Sequence, residues 1–209
     1  MATQTPLLPT LYSLLPSTSH PSLLAQLSLL AIHSAPYSIL DTLYTALAPV
    51  IANQQRTLRL RHDILPSPTY HLTYLSKPLS SREYAEMSVQ ACVGVDIEGL
   101  SAEDEIDEFI ETLGFKQTHS YTLKGTIFHF PLPSPNLTLT MTITRMNTPP
   151  VEPGDGETSE PWLIHLQPSK PVSGVTSNRG ELNLNEMMNL MKGFIDRIDG
   201  LEWSSGRDK

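Results

Sequence analysis

Cysteine is nearly missing from this chain: Cys92 stands alone among 209 residues. One thiol excludes an internal disulfide framework and a cysteine-built zinc centre, and it fits a reducing compartment. Basic residues are missing from the first 55 positions, the earliest being Arg56. A secretory signal opens on a basic segment and a mitochondrial transit peptide is Arg-rich, so neither is expected, despite the Leu-rich run from Leu23 to Leu30. The expected compartment is the cytoplasm or the nucleus. No apolar run approaches the ~18 residues of a membrane span. The charge balance is acidic, with 14 Lys and Arg against 22 Asp and Glu. A net charge of −8 argues against a general nucleic-acid binder, whose footprint is a basic face. Neither membrane contact nor direct nucleic-acid binding is expected.

Catalytic signatures are equally scarce. There is no Gly-x-Ser-x-Gly elbow and no phosphate-cradling glycine run. Seven histidines stand at 20, 33, 62, 71, 119, 129 and 165, but none forms the i,i+4 pair around a glutamate that a helical zinc site uses. Cys92 sits in an apolar alternating segment, where an inert buried thiol is the commoner outcome. No catalytic residue, metal site or cofactor is assigned.

Proline, by contrast, is abundant, at 18 residues, which favours short strands and loops over a helical bundle. Pro9 to Leu15 reads as a short strand. A helix follows from Pro21, with Leu23, Leu24, Leu27, Leu30 and Ala31 on one face. Ile39 to Leu47 reads as helical again, though Tyr44 to Ile51 can equally enter a strand; the helical region is set at 20–48. Strands are expected at 55–63, 69–75 and within 83–97. Ser101 opens a helix by a capping-box pattern, and Gly114 stops it after the stripe Ile106, Phe109, Ile110 and Leu113. Phe115 to Phe130 reads as one long strand or as a pair turning near Gly125. Leu137, Leu139, Met141 and Ile143 alternate with four threonines, the cleanest strand signal in the chain. A Pro- and acid-rich mobile loop spans 147–161, Trp162 to Gln167 is a further strand, and a C-terminal helix covers 183–199. The tally of seven or eight mainly antiparallel strands with about three helices is an α+β barrel or sandwich in a single domain, 1–209.

Three clusters invite a functional reading. Eight acids lie between Asp96 and Glu111 with no Lys or Arg among them, either a solvated helix face or an acidic docking face. Arg59 and Arg61 share one strand face. Turned inward they make a basic lumen able to hold an anion; turned to water, the commoner placement, they are ordinary surface residues. Met187, Met188 and Met191 are core packing or an adaptable partner surface.

Several segments resemble the Mediator subunit 18 family. Tyr70-His71-Leu72-Thr73-Tyr74-Leu75-Ser76-Lys77-Pro78 is similar to its His-Leu-Arg-Tyr-Leu-Gly stretch. Asp107 to Phe115 resembles the end of one of its helices, and His119 to Phe128 one of its strand pairs. The resemblance covers most of the chain and is strongest over 69–146. It implies an antiparallel β-barrel of about eight strands with flanking helices, related in architecture to triphosphate-tunnel enzymes. It also implies a nuclear, non-enzymatic scaffold of the Mediator head module, paired with Mediator subunit 20 and holding a C-terminal helix of subunit 8, which relays regulation to RNA polymerase II. The tunnel enzymes' strand motif Glu-x-Glu-x-Lys has no counterpart here, since Glu103 and Glu105 fall on a helix. Partner surfaces are expected around Leu72 and Tyr74, along Tyr121 to Phe128, and at Met187 and Met191 of the last helix. The alternatives are a barrel phosphohydrolase acting on RNA ends or polyphosphate, and a barrel that binds a small anion.

Overall fold

Alternating side chains run through eight segments of the sequence, and in the computed structural model every one is a strand: β1 (Leu7–Leu15), β2 (His33–Ala46), β3 (Thr57–Leu65), β4 (Thr69–Leu75), β5 (Ser88–Ile97), β6 (Phe115–Pro131), β7 (Thr138–Asn147) and β8 (Trp162–Pro168). The structure describes residues 5–47, 57–65, 69–80, 82, 84–98, 104–134, 136–147, 161–174 and 182–204. All neighbouring strands pair antiparallel. They close into one barrel in the order β1-β5-β4-β3-β2-β6-β7-β8. Three helices accompany it: α1 (His20–Leu30), α2 (Asp104–Thr112) and α3 (Leu184–Ile195). None of the described helices is long and apolar enough to cross a membrane.

The barrel wall is apolar outside and polar inside. On β7, Leu139, Met141 and Ile143 face outward and are fully buried under the helices, while Thr140, Thr142 and Thr144 face the lumen. The same alternation sets Phe128, Phe130, Ile164 and Leu166 against Leu23 and Leu27 of α1 and Met187 and Met191 of α3. The main hydrophobic core therefore lies between barrel and helices. A second, smaller core joins Tyr44 and Leu60 to Ile106 and Ile110 of α2. Asn183 caps α3 by accepting from the Glu186 amide at 3.0 Å, and the Glu186 carboxylate accepts from the Asn183 amide at 2.9 Å. This reciprocal pair satisfies two donors that a helix start leaves open.

The structure departs from the expected elements at three places and decides between two readings at a fourth. The helical region of 20–48 is helix only to Leu30, since residues 33–46 form β2. Tyr37, Ile39 and Asp41 alternate there at a period of two, and the pairing of β2 with β3 and β6 along its length outweighs the helical spacing of the leucines. Of the two readings of Phe115 to Phe130, the single long strand holds, running to Pro131 without a turn at Gly125. Gly125 serves a close approach instead: a Cβ placed there would lie 1.9 Å from the Ile143 carbonyl oxygen of β7. The α2 stripe is only half used, because Phe109 and Leu113 are 54% and 52% exposed. Finally, α3 ends at Ile195, not 199. The Ser101 capping box and most of the 147–161 loop lie outside the described residues. Gly114 does end α2, with φ +84°.

Candidate functional site

The β3 arginines resolve the choice left open by the sequence: both point into the barrel. Arg61 grips Asp41 of β2 through two parallel bonds, Nε to Oδ1 at 2.8 Å and a terminal nitrogen to Oδ2 at 2.7 Å. The register places Arg61 directly opposite Asp41 across the β2–β3 ladder, so the fork is a cross-strand pair. Burial pushes the Asp41 carboxyl up, but the bound Arg61 and nearby Arg59 outweigh that and hold it below the usual carboxylate range. Tyr37 and Tyr121 lean on the same pair, each hydroxyl at 3.4 Å, one accepting from Arg61 and the other donating to Asp41. Burial, with Asp41 next, lifts the Tyr121 phenol to about 12.

Arg59 has no such partner. Its Nε is closed off from solvent and makes no hydrogen bond among the described residues. Burial, then the charge of Arg61, depresses its basicity. Across the lumen, His165 of β8 stacks on Tyr12 of β1, ring centroids 5.0 Å apart. Burial, then Arg61 and Arg59, drives the His165 pKa down to about 3, so the ring is neutral at physiological pH. Burial also raises the Cys92 thiol, which suits the inert role expected of it. Tyr37, Arg59, Arg61, Cys92 and His165 border a cavity of about 530 Å³.

At the cavity wall His71 of β4 stands between two aspartates, with Nε2 3.0 Å from Asp63 and Nδ1 2.5 Å from Asp96. The two carboxylates occupy opposite ring nitrogens and so form a chain, not a set of donors converging on one point. Among the described residues no group of three His, Cys, Asp or Glu side chains is arranged to hold a metal ion. The lumenal Asp41 is committed to Arg61. A Glu-x-Glu strand face of the tunnel-enzyme kind is missing from the described lumen.

Of the expected partner residues, Leu72 and Tyr74 alone sit on an outer face short of full burial. They alternate outward on β4, opposite Val95 and Val93 of β5, which are 59% and 52% exposed. Phe128, Met187 and Met191 are buried inside the chain at 1%, 0% and 0% exposure, because α1 and α3 already cover that side of the barrel. They cannot meet a partner while the chain is folded. Tyr121 faces the lumen and belongs to the arginine–aspartate network. Val93 and Val95 were the missed members of the face; their alternation with Cys92 and Gly94 was visible, but not its direction. The acidic segment is divided: Asp96 lies on β5 beside His71, while Glu105, Asp107, Glu108 and Glu111 are exposed on α2, where Asp107 also accepts from the Tyr44 hydroxyl.

No family model matches this chain, and no curated protein sequence matches it. Solved structures do. A chain of the Schizosaccharomyces pombe Mediator head module superposes with a TM-score of 0.63 at 16% identity, over 93% of this chain and 97% of that one. The PH1819 protein of Pyrococcus horikoshii gives 0.58 at 12% identity, covering 96% and 94%. A Hippeastrum adenylyl cyclase described as having a dominant triphosphatase activity gives 0.52 at 16% identity, covering 98% and 92%. Identities this low establish architecture and nothing finer: the chain has a closed, eight-stranded antiparallel barrel of the triphosphate-tunnel type, with three helices.

Proposed function

We propose that this chain is a non-enzymatic scaffold subunit of the nuclear Mediator head module, of the subunit 18 kind. In this reading it pairs with Mediator subunit 20, takes a helix of subunit 8, and so couples regulators to RNA polymerase II. The observation that carries the reading is the apolar strip on β4 and β5, which the helices leave open at Val93 and Val95 while Leu72 reaches the small core under α2. Val93 and Val95 are more than half exposed beside Leu72 and Tyr74, whereas helices seal the opposite side of the barrel. A strip of this kind, with the acids of α2 near it, has the composition of an interface centre with a polar rim. The resemblance through Tyr70 to Pro78 falls on the same strand, and the fold likeness to a Mediator head-module chain supports the choice of partner.

The test is co-expression with subunit 20 and the subunit 8 helix, followed by size-exclusion chromatography with mass determination. The wild-type chain should elute in a stoichiometric ternary complex. Val93→Asp combined with Tyr74→Asp should leave a folded chain that loses subunit 20. Full-strength binding by that variant, or a wild-type monomer indifferent to both partners, overturns the reading.

A phosphohydrolase is the second reading, favoured by two arginines inside a barrel of this type. Its weakness is chemical: the lumenal carboxylate is clamped, and the other acids at the cavity are strung along His71. Metal-dependent release of phosphate, abolished by Arg59→Ala, would establish it in place of the scaffold.

A further inference from the structure

The lumen contains a guanidinium nitrogen that no acceptor among the described residues answers. Arg61 and Asp41 cancel through their fork, and His165 is neutral. Arg59 keeps a buried Nε that has no hydrogen-bond partner among the described residues, and Lys170 stands elsewhere on the same cavity lining. A buried guanidinium donor without an acceptor costs free energy that folded chains rarely leave uncompensated. A second orphan borders the same cavity: the Thr140 hydroxyl is buried and has no partner among the described residues. The space in front of them, about 530 Å³, lies within the range of small-molecule sites.

We infer that the barrel lumen binds a small organic monocarboxylate, its carboxylate on Arg59 and its carbon body against Tyr37 and Ile127. The class follows from charge and lining. The guanidinium of Arg59 has donors to spare, and its planar fork suits a carboxylate's two oxygens. A polyphosphate is disfavoured, because the carboxylates Asp63 and Asp96 outnumber Lys170 on the same cavity lining and would repel further negative charge. The aromatic and aliphatic lining next to the arginines has no use for inorganic phosphate but suits a ring or short chain. The site lies inside the barrel, while the docking strip is on its outer surface, so the two readings stand or fall separately.

Benzoate is the probe, titrated against the full-length chain at constant ionic strength with sodium chloride as the balancing salt. Binding only to the native state must raise the melting temperature, by at least about 2 °C at ten times the dissociation constant. The rise should vanish in Arg59→Met and be weakened in Arg59→Lys, which keeps the charge but loses the fork. If Arg59→Met does not fold, the Arg59 Nε–H resonance of the wild-type chain provides the readout, and it should shift on addition of benzoate. The inference is overturned by a wild-type chain that ignores benzoate, by an Arg59→Met chain that responds as fully as wild type, or by tripolyphosphate binding more tightly than benzoate.

Discussion

Asp41 shows how much of the lumen rests on one side chain. Its carboxylate is 1% exposed and neutralises one of two neighbouring guanidinium groups. Breaking a buried pair by removing one partner leaves the other charge stranded, which costs roughly 3–5 kcal/mol. Asp41→Asn should therefore lower stability by about that amount in urea titration. The double variant Asp41→Asn/Arg61→Met should recover most of the loss, because no stranded charge remains opposite position 41. His165 makes a prediction of opposite chemistry. Burial, then the two arginines, depresses its pKa to about 3, while the unfolded chain keeps the ordinary value of about 6.5. Above that value neither state binds the proton, and the contribution of the neutral ring to stability is complete. As pH falls from about 6.5 toward 3, only the unfolded chain takes up the proton, and stability drops by up to about 1.4 kcal/mol per pH unit. His165→Gln should flatten the stability profile between pH 5 and 6.5. Part of the slope should persist, since burial lowers His20 and His129 as well.

At the scale of elements, the tightest constraint is the crossing of β6 and β7 at Gly125. A side chain there meets the β7 backbone at Ile143, not a flexible tip, so the strands must separate to admit it. Gly125→Val should destabilise by roughly 2–4 kcal/mol, and amide exchange should show the loss concentrated in β6 and β7. The same position marks the limit of reading this chain as a sequence. A glycine in the middle of an alternating run signals either a turn or a close approach, and the two differ only in what lies across the ladder. Leu139, Met141 and Ile143 were legible as a buried face because threonines separate them. Which way that face points was not, since a barrel wall with helices outside and a polar lumen inside has the same period as any half-buried sheet. That ambiguity also kept Arg59 and Arg61 undecided and made Phe128 look available when α1 and α3 cover it, whereas Met187 and Met191 take the core-packing side of the two readings their helix allowed. Phe109 and Leu113 failed in the other direction: their helical spacing matched Ile110, but they lie beyond the edge of the small core that α2 covers.

Over the whole molecule, β1 joins the two ends of the sheet. Its first half, Leu7 to Thr10, pairs with β5, and its second half, Leu11 to Leu15, pairs with β8. Ser204 bridges Tyr12 where β5 no longer reaches, through two backbone bonds of 2.9 and 2.8 Å. Removing residues 1–16 would open the edges of β5 and β8 together, and such edges seek other strands. The truncated chain should run as soluble oligomers or aggregate on size-exclusion chromatography, in contrast to the full chain. This arrangement also sets an order in time. On a ribosome β1 emerges first, but β8 is complete only about 150 residues later, roughly 8–30 s at ordinary elongation rates. Throughout that interval Leu11 and Leu15, each 2% exposed in the finished barrel, have no wall to join. The nascent chain thus carries the leucine-rich second half of β1 unpaired until β8 is made, and its yield in a cell depends on what shields those residues while they wait.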